Sequence, residues 1–254
     1  MFRENWQRFA VISTLYLATL LIVFQFNIPI FRAINGFYSE LFQYPMLFLT
    51  ALADGILVFM VGTLLFEKDN ERYIKFIFSL LLTAVIVNTI KHFFPSQRPP
   101  QFFAGQDLFI IGDTFSERSF PSGHSAAIMV LARFFTFRQP LYIAIPILLV
   151  CILAALSRAY VGVHFPIDIL VGGGIGFFLG DFIFRSGDKY RISNSPRFFR
   201  IQTLITYPLA ILAGIYFIIS ESKGYEPIDL MLNTLVLLLA LYFVVRFVRM
   251  IRAK

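Results

Sequence analysis

One cysteine, Cys151, in 254 residues excludes an intramolecular disulfide, and its place inside an apolar run leaves the redox compartment undetermined. Histidine is scarce too, with three residues, and nothing in the sequence resembles a clustered set of metal ligands. Charged residues make up only 15% of the chain, against 58% hydrophobic and a mean hydropathy of +0.75, so a soluble globular domain is a poor reading. Nucleic-acid binding is a poor reading too, since no soluble domain is there to carry it. Arg3 and Arg8 precede the first apolar run, as in a signal peptide. That run is longer than a signal core and no small-x-small cleavage site follows it, so it reads as a retained anchor.

What the chain has in abundance is apolar length. A hydrocarbon core of ~30 Å needs about 20 mostly apolar residues per helix. Eight candidate spans follow: 9–26, 44–66, 73–94, 122–137, 141–156, 167–184, 203–220 and 230–247. The fourth and fifth are short, and Arg133 interrupts the fourth. The expected fold class is all-α, a polytopic membrane helical bundle with a six-span catalytic core and a C-terminal two-span hairpin. It is expected as a single membrane domain, 1–254, divided into a core (1–184), a cytoplasmic linker (185–202) and the hairpin with its basic tail (203–254). Eight spans put both termini on one side, and sixteen of the 22 Lys and Arg residues fall on that side. The bias makes that side cytoplasmic and explains the net charge of +7 as a topology signal.

Three polar clusters then fall on the opposite, non-cytoplasmic side. The first ends the third span, where Lys91 and Arg98 flank a proline-rich break. Either cation alone reads as a snorkelling side chain at a lipid interface. His92 between them matches no motif. The second cluster, Pro121-Ser122-Gly123-His124, opens the fourth span. Ser122 is a good N-cap, Gly123 lets a ligand approach the backbone, and a helix N-terminus attracts anions. An ordinary helix start would look the same in isolation. The third cluster is Ser157-Arg158 followed by His164 and Asp168. Pro166 suits a first helical turn, which places Asp168 in that turn and within reach of the His164 ring. A carboxylate on one imidazole nitrogen fixes the tautomer and leaves the other as nucleophile or base. Arg158 adds a planar fork matched to phosphate oxygens. Together they suggest phosphoryl chemistry at a membrane boundary.

Lys91-x6-Arg98-Pro99, Pro121-Ser122-Gly123-His124 and Ser157-Arg158-x5-His164-x3-Asp168 resemble, in order, the three signature motifs of the type 2 phosphatidic acid phosphatase superfamily. The resemblance implies metal-independent hydrolysis of phosphate monoesters or diphosphates through a phosphohistidine, with no cofactor. It implies catalytic roles for His164 (nucleophile), Asp168 (its orienting partner) and His124 (acid on the leaving oxygen). Lys91, Arg98, Ser122, Gly123 and Arg158 would hold the phosphoryl oxygens. Undecaprenyl diphosphate, phosphatidylglycerophosphate, phosphatidic acid and a lipid A phosphate all suit it, with membrane lipids as surroundings and no nucleic-acid partner. A bacterial inner membrane fits best, with the site facing the periplasm or exterior. A phosphotransferase to a lipid acceptor and a non-catalytic lipid-phosphate carrier remain open alternatives, and the oligomeric state is not legible.

Outside the motifs, Asp54 stands within the second span. An intramembrane carboxylate is a functional candidate, although a helix–helix hydrogen bond or a helix end is the more ordinary explanation. The outer connection 101–120 carries Phe102, Phe103, Phe109, Phe115 and Phe120, expected at the lipid interface. Gly172, Gly176 and Gly180 recur every fourth residue, a small-residue face for close helix packing.

Overall fold

Helix caps divide the apolar runs. Ser39, Asp54, Asp69 and Ser122 each accept a first-turn backbone N–H through the side chain, satisfying donors that a helix start leaves unpaired. The computed structural model describes residues 2–111, 118–137, 139–186, 195–220 and 228–252, without the side chains of residues 2–12 and 196. Among these, the elements are all helices: α1 (Phe2–Gln25), α2 (Asn27–Asn35), α3 (Glu40–Leu52), α4 (Gly55–Phe66), α5 (Asn70–Phe93), α6 (Pro99–Phe102), α7 (Gly123–Thr136), α8 (Leu141–Tyr160), α9 (Pro166–Ser186), α10 (Pro196–Ser220) and α11 (Asp229–Arg252). Residues 187–194 of the linker, and Phe115, lie outside the described residues.

The protein is an all-α polytopic membrane bundle. Among the described residues, five helices are long and apolar enough to cross a membrane, or up to seven if each of two bent pairs counts as one span. The pairs are α1 with α2, bent by 81°, and α3 with α4, bent by 70° at Asp54. The second expected span is therefore broken in its middle. The stretch between the first two expected spans, 27–43, holds the helix α2 and the start of α3. The fourth expected span is the 14-residue α7, only ~21 Å long. It is enclosed by α4, α5, α8 and α9, and nine of its residues are buried. Arg133, which interrupts it, is neutralised by Asp181 of α9 and lies over the Phe137 ring at 4.8 Å. Large apolar side chains face outward on the long helices, among them Leu212, Ile219 and Leu230, as lipid contact requires.

Glu67, buried just beyond α4, fastens the C-terminal hairpin to the core. It accepts hydrogen bonds from Tyr207 Oη of α10 (2.7 Å) and Tyr242 Oη of α11 (2.8 Å), and Arg246 Nη2 lies at 3.3 Å. Removing a buried carboxylate strands its partners, at about 3–5 kcal/mol for a buried pair. Arg246 is 36% exposed and can turn to water. Glu67→Ala should lower the melting temperature in detergent clearly more than Arg246→Ala. Equal shifts would mean that the two tyrosine bonds contribute little.

Candidate active site

The ends of α5 and α8 and the starts of α7 and α9 meet at one end of the bundle, and they bring all three clusters together. Between α8 and α9 the chain turns at Gly162, whose φ of +79° is one that residues with a Cβ rarely adopt. That turn lets Val163 N and His164 N both donate to the Arg158 carbonyl, at 3.1 and 3.2 Å. Pro166 then opens α9 as expected, and the Asn27 side chain accepts from Ile167 N at 3.0 Å.

His164 is buried. Its Nδ1 lies 3.5 Å from Asp168 Oδ2, which is ion-pair distance, and Ser119 Oγ stands between the two. Ser119 donates to Asp168 Oδ2 at 2.5 Å and lies 3.3 Å from His164 Nδ1. Phe165 N also donates to Asp168 Oδ2, at 3.0 Å. Burial first, then the charges of Arg98, Arg158 and Lys91, push His164 well below its ordinary pKa, against a smaller opposing pull from the Ser119 backbone. The ring is neutral at pH 7, with Nε2 turned away from the carboxylate.

Ser122 is buried and caps α7, its Oγ accepting from Ser125 N at 3.3 Å. Its own N–H donates to the Asp168 carbonyl at 2.9 Å. The first-turn N–H groups of Gly123 and His124 remain as donors for an anion. A Cβ at Gly123 would meet nothing closer than Val87, at 3.9 Å. Close packing is needed elsewhere: a Cβ at Gly172 would overlap the Ser122 carbonyl, and one at Gly176 the Ala126 carbonyl. Gly180, the third of the expected series, has ordinary clearance from Phe134.

Lys91 Nζ donates to the Arg118 carbonyl at 2.6 Å. Arg98 Nη1 reaches the Val163 carbonyl at 3.5 Å. Burial, then the Arg158 guanidinium, push Arg98 down to about 10, so it stays charged at neutral pH. Arg158 is buried, with Nη1 3.5 Å from Thr50 Oγ1, and Ser157 Oγ donates to the same hydroxyl at 2.7 Å. His92 is exposed, its ring against Phe93, and stands apart from this cluster. The outer phenylalanines divide. Phe102 is exposed, but Phe103 is buried against Phe31, correcting its expected interfacial place. The rings of Phe31, Phe102 and Phe103 surround Phe165, the neighbour of His164.

Four contributors carried no motif. Ser119 bridges His164 and Asp168, and Thr50 braces Arg158. Asn35 ties α2 to the carbonyls of Phe109 (2.7 Å) and Tyr160 (2.9 Å). Asp54 Oδ2 lies 3.6 Å from His124 Nε2. Only the last was a candidate in the sequence, as a carboxylate inside an apolar run.

Comparison with known proteins gives the family. The family model described as PAP2 superfamily matches residues 72–192, which contain all three clusters. The crystal structure of Aquifex aeolicus LpxE superposes with a TM-score of 0.58 at 30% identity, covering 63% of this chain and 94% of that one. The chain belongs to the PAP2 superfamily. Similar proteins include a Sulfolobus acidocaldarius protein named undecaprenyl-diphosphatase, 26% identical over 153 residues, 59% of this chain and 73% of the relative. Another is the Bacillus subtilis undecaprenyl-diphosphatase BcrC, 24% identical over 172 residues, 65% of this chain and 86% of the relative.

The depressed His164 can be checked directly. Ring NMR of labelled histidine should show His164 still neutral below pH 6.5, and Arg98→Ala should move its midpoint upward by removing a nearby cation. Protonation at or above pH 6.5 in the wild type would contradict the site's electrostatics.

Proposed function

We propose that this PAP2 protein hydrolyses a lipid phosphate or diphosphate through a phosphohistidine on His164, at the non-cytoplasmic face of the membrane. The observation that supports it most is the neutral, buried His164, held by Asp168 and Ser119 under the charges of Arg98, Arg158 and Lys91. In this reading Lys91, Arg98, Arg158 and the α7 N-terminus with Ser122 and Gly123 bind the phosphoryl oxygens. Phosphoryl transfer needs positioning and charge stabilisation above all. His164 Nε2 attacks phosphorus, the bond to the leaving oxygen breaks, and His124 protonates that oxygen. Water then attacks the phosphohistidine, giving its proton back to His124, and inorganic phosphate leaves.

An apolar cavity of about 500 Å³ supports a lipid substrate. It is lined by Tyr16, Ile30, Met129, Ile152 and Phe177, and reaches Pro166 and Ile169 on either side of Asp168. The names of the two relatives put undecaprenyl diphosphate first among the candidates. The basic bias of the opposite loops supports the non-cytoplasmic face. Residues 1–184 are the catalytic unit in this reading, and the last two helices are its docked hairpin.

Purified protein assayed against undecaprenyl diphosphate, phosphatidylglycerophosphate, phosphatidic acid and a lipid A phosphate should release inorganic phosphate, fastest from the first. Release should persist in excess chelator and vanish in His164→Ala. Intact cells should hydrolyse a water-soluble short-chain analogue added outside. Turnover by folded His164→Ala would refute the mechanism, and hydrolysis only after permeabilisation would put the site on the cytoplasmic face.

A further inference from the structure

Asp54 occupies the 70° break between α3 and α4, inside an otherwise apolar stretch. A carboxylate there is costly unless it is paired. One oxygen has an ordinary role, since Oδ1 accepts from Ile56 N at 2.7 Å and caps α4. The other does not. Oδ2 points to His124 Nε2 at 3.6 Å, ion-pair distance and longer than a hydrogen bond. That nitrogen is buried and has no hydrogen-bond partner, although the imidazole as a whole is 26% exposed. The other charged or titratable groups acting on His124 are Arg158 on α8, His164 in the turn, Arg98 before α6 and Lys91 on α5. All of them disfavour a positive charge on the ring, and Asp54, which also feels the Arg158 charge, is the carboxylate within ion-pair distance of it.

We propose that Asp54 is a positioning residue for His124, accepting a hydrogen bond from Nε2–H so that Nδ1 is the atom that protonates the leaving oxygen. This rests on the reading of His124 as the proton donor. The arrangement mirrors the first histidine, where Nδ1 faces Asp168 and Nε2 is left for chemistry. In the doubly protonated ring, Nε2–H stays on Asp54 while the Nδ1 proton passes to the leaving oxygen. In the second half-reaction Nδ1 recovers a proton from the attacking water, so the ring ends as it began. Catalytic hydrogen bonds are often long in unliganded sites and tighten in the complex.

Asp54→Asn tests this, because asparagine caps a helix as well as aspartate while removing the charge. Against a simple alkyl phosphate, whose leaving group needs a proton, kcat should fall about 100-fold, the low end of general-acid contributions. Against an activated aryl phosphate it should fall only a few-fold. In a His124→Ala background the same change should add nothing on either substrate, as for residues acting as one unit. Asp54→Ser, which also caps, should give the same pattern if the asparagine variant fails to fold. Equal losses on both substrates, or losses that add to those of His124→Ala, would overturn the positioning role. If His124→Ala itself shows no leaving-group selectivity, the proton-donor reading beneath the inference fails instead.

Discussion

Asp168 holds the site closed. Its side chain takes Ser119 Oγ and Phe165 N, its carbonyl takes Ser122 N, and its carboxylate faces the His164 ring. One residue thus ties the approach to α7, the cap of α7 and the turn before α9. A buried carboxylate without such partners would cost several kcal/mol. The geometry also needs α9 to lie almost on the backbone of α7, which the missing side chains at Gly172 and Gly176 allow.

Electrostatics follow from that closure. Lys91, Arg98 and Arg158 are drawn together around His164, and burial, then the Arg158 charge, lower the Arg98 pKa to about 10. A site of this kind is short of negative charge. A phosphoryl group relieves the repulsion, and the relief grows as charge spreads over its equatorial oxygens. In the proposed mechanism burial and the same cations keep His164 neutral, and so nucleophilic, before the substrate arrives.

Much of this was legible because membrane helices and capping leave strong local signals. Apolar length announced the helices, and the order of the motifs announced which helix ends must meet. Pro166 and Ser122 begin α9 and α7 as their chemistry requires. The rest depends on contacts between residues far apart in sequence. Ser119 sits 45 and 49 positions from its two partners, and Glu67 reaches across 140 and 175 positions to Tyr207 and Tyr242. No local pattern encodes those distances. Asp54 shows both sides of the problem. Its helix-end role is among the ordinary explanations of a carboxylate inside an apolar run, whereas its approach to His124 depends on how α4 packs against α7.

The central claim is that the phosphoryl group passes through His164. Rapid acid-free quenching of wild-type enzyme during turnover, followed by peptide mass spectrometry, tests it most directly. The account predicts a phosphoryl adduct on the peptide containing His164, forming and decaying at rates compatible with turnover. Turnover with no such adduct under conditions that preserve phosphohistidine, or an adduct on His124 instead, would contradict it.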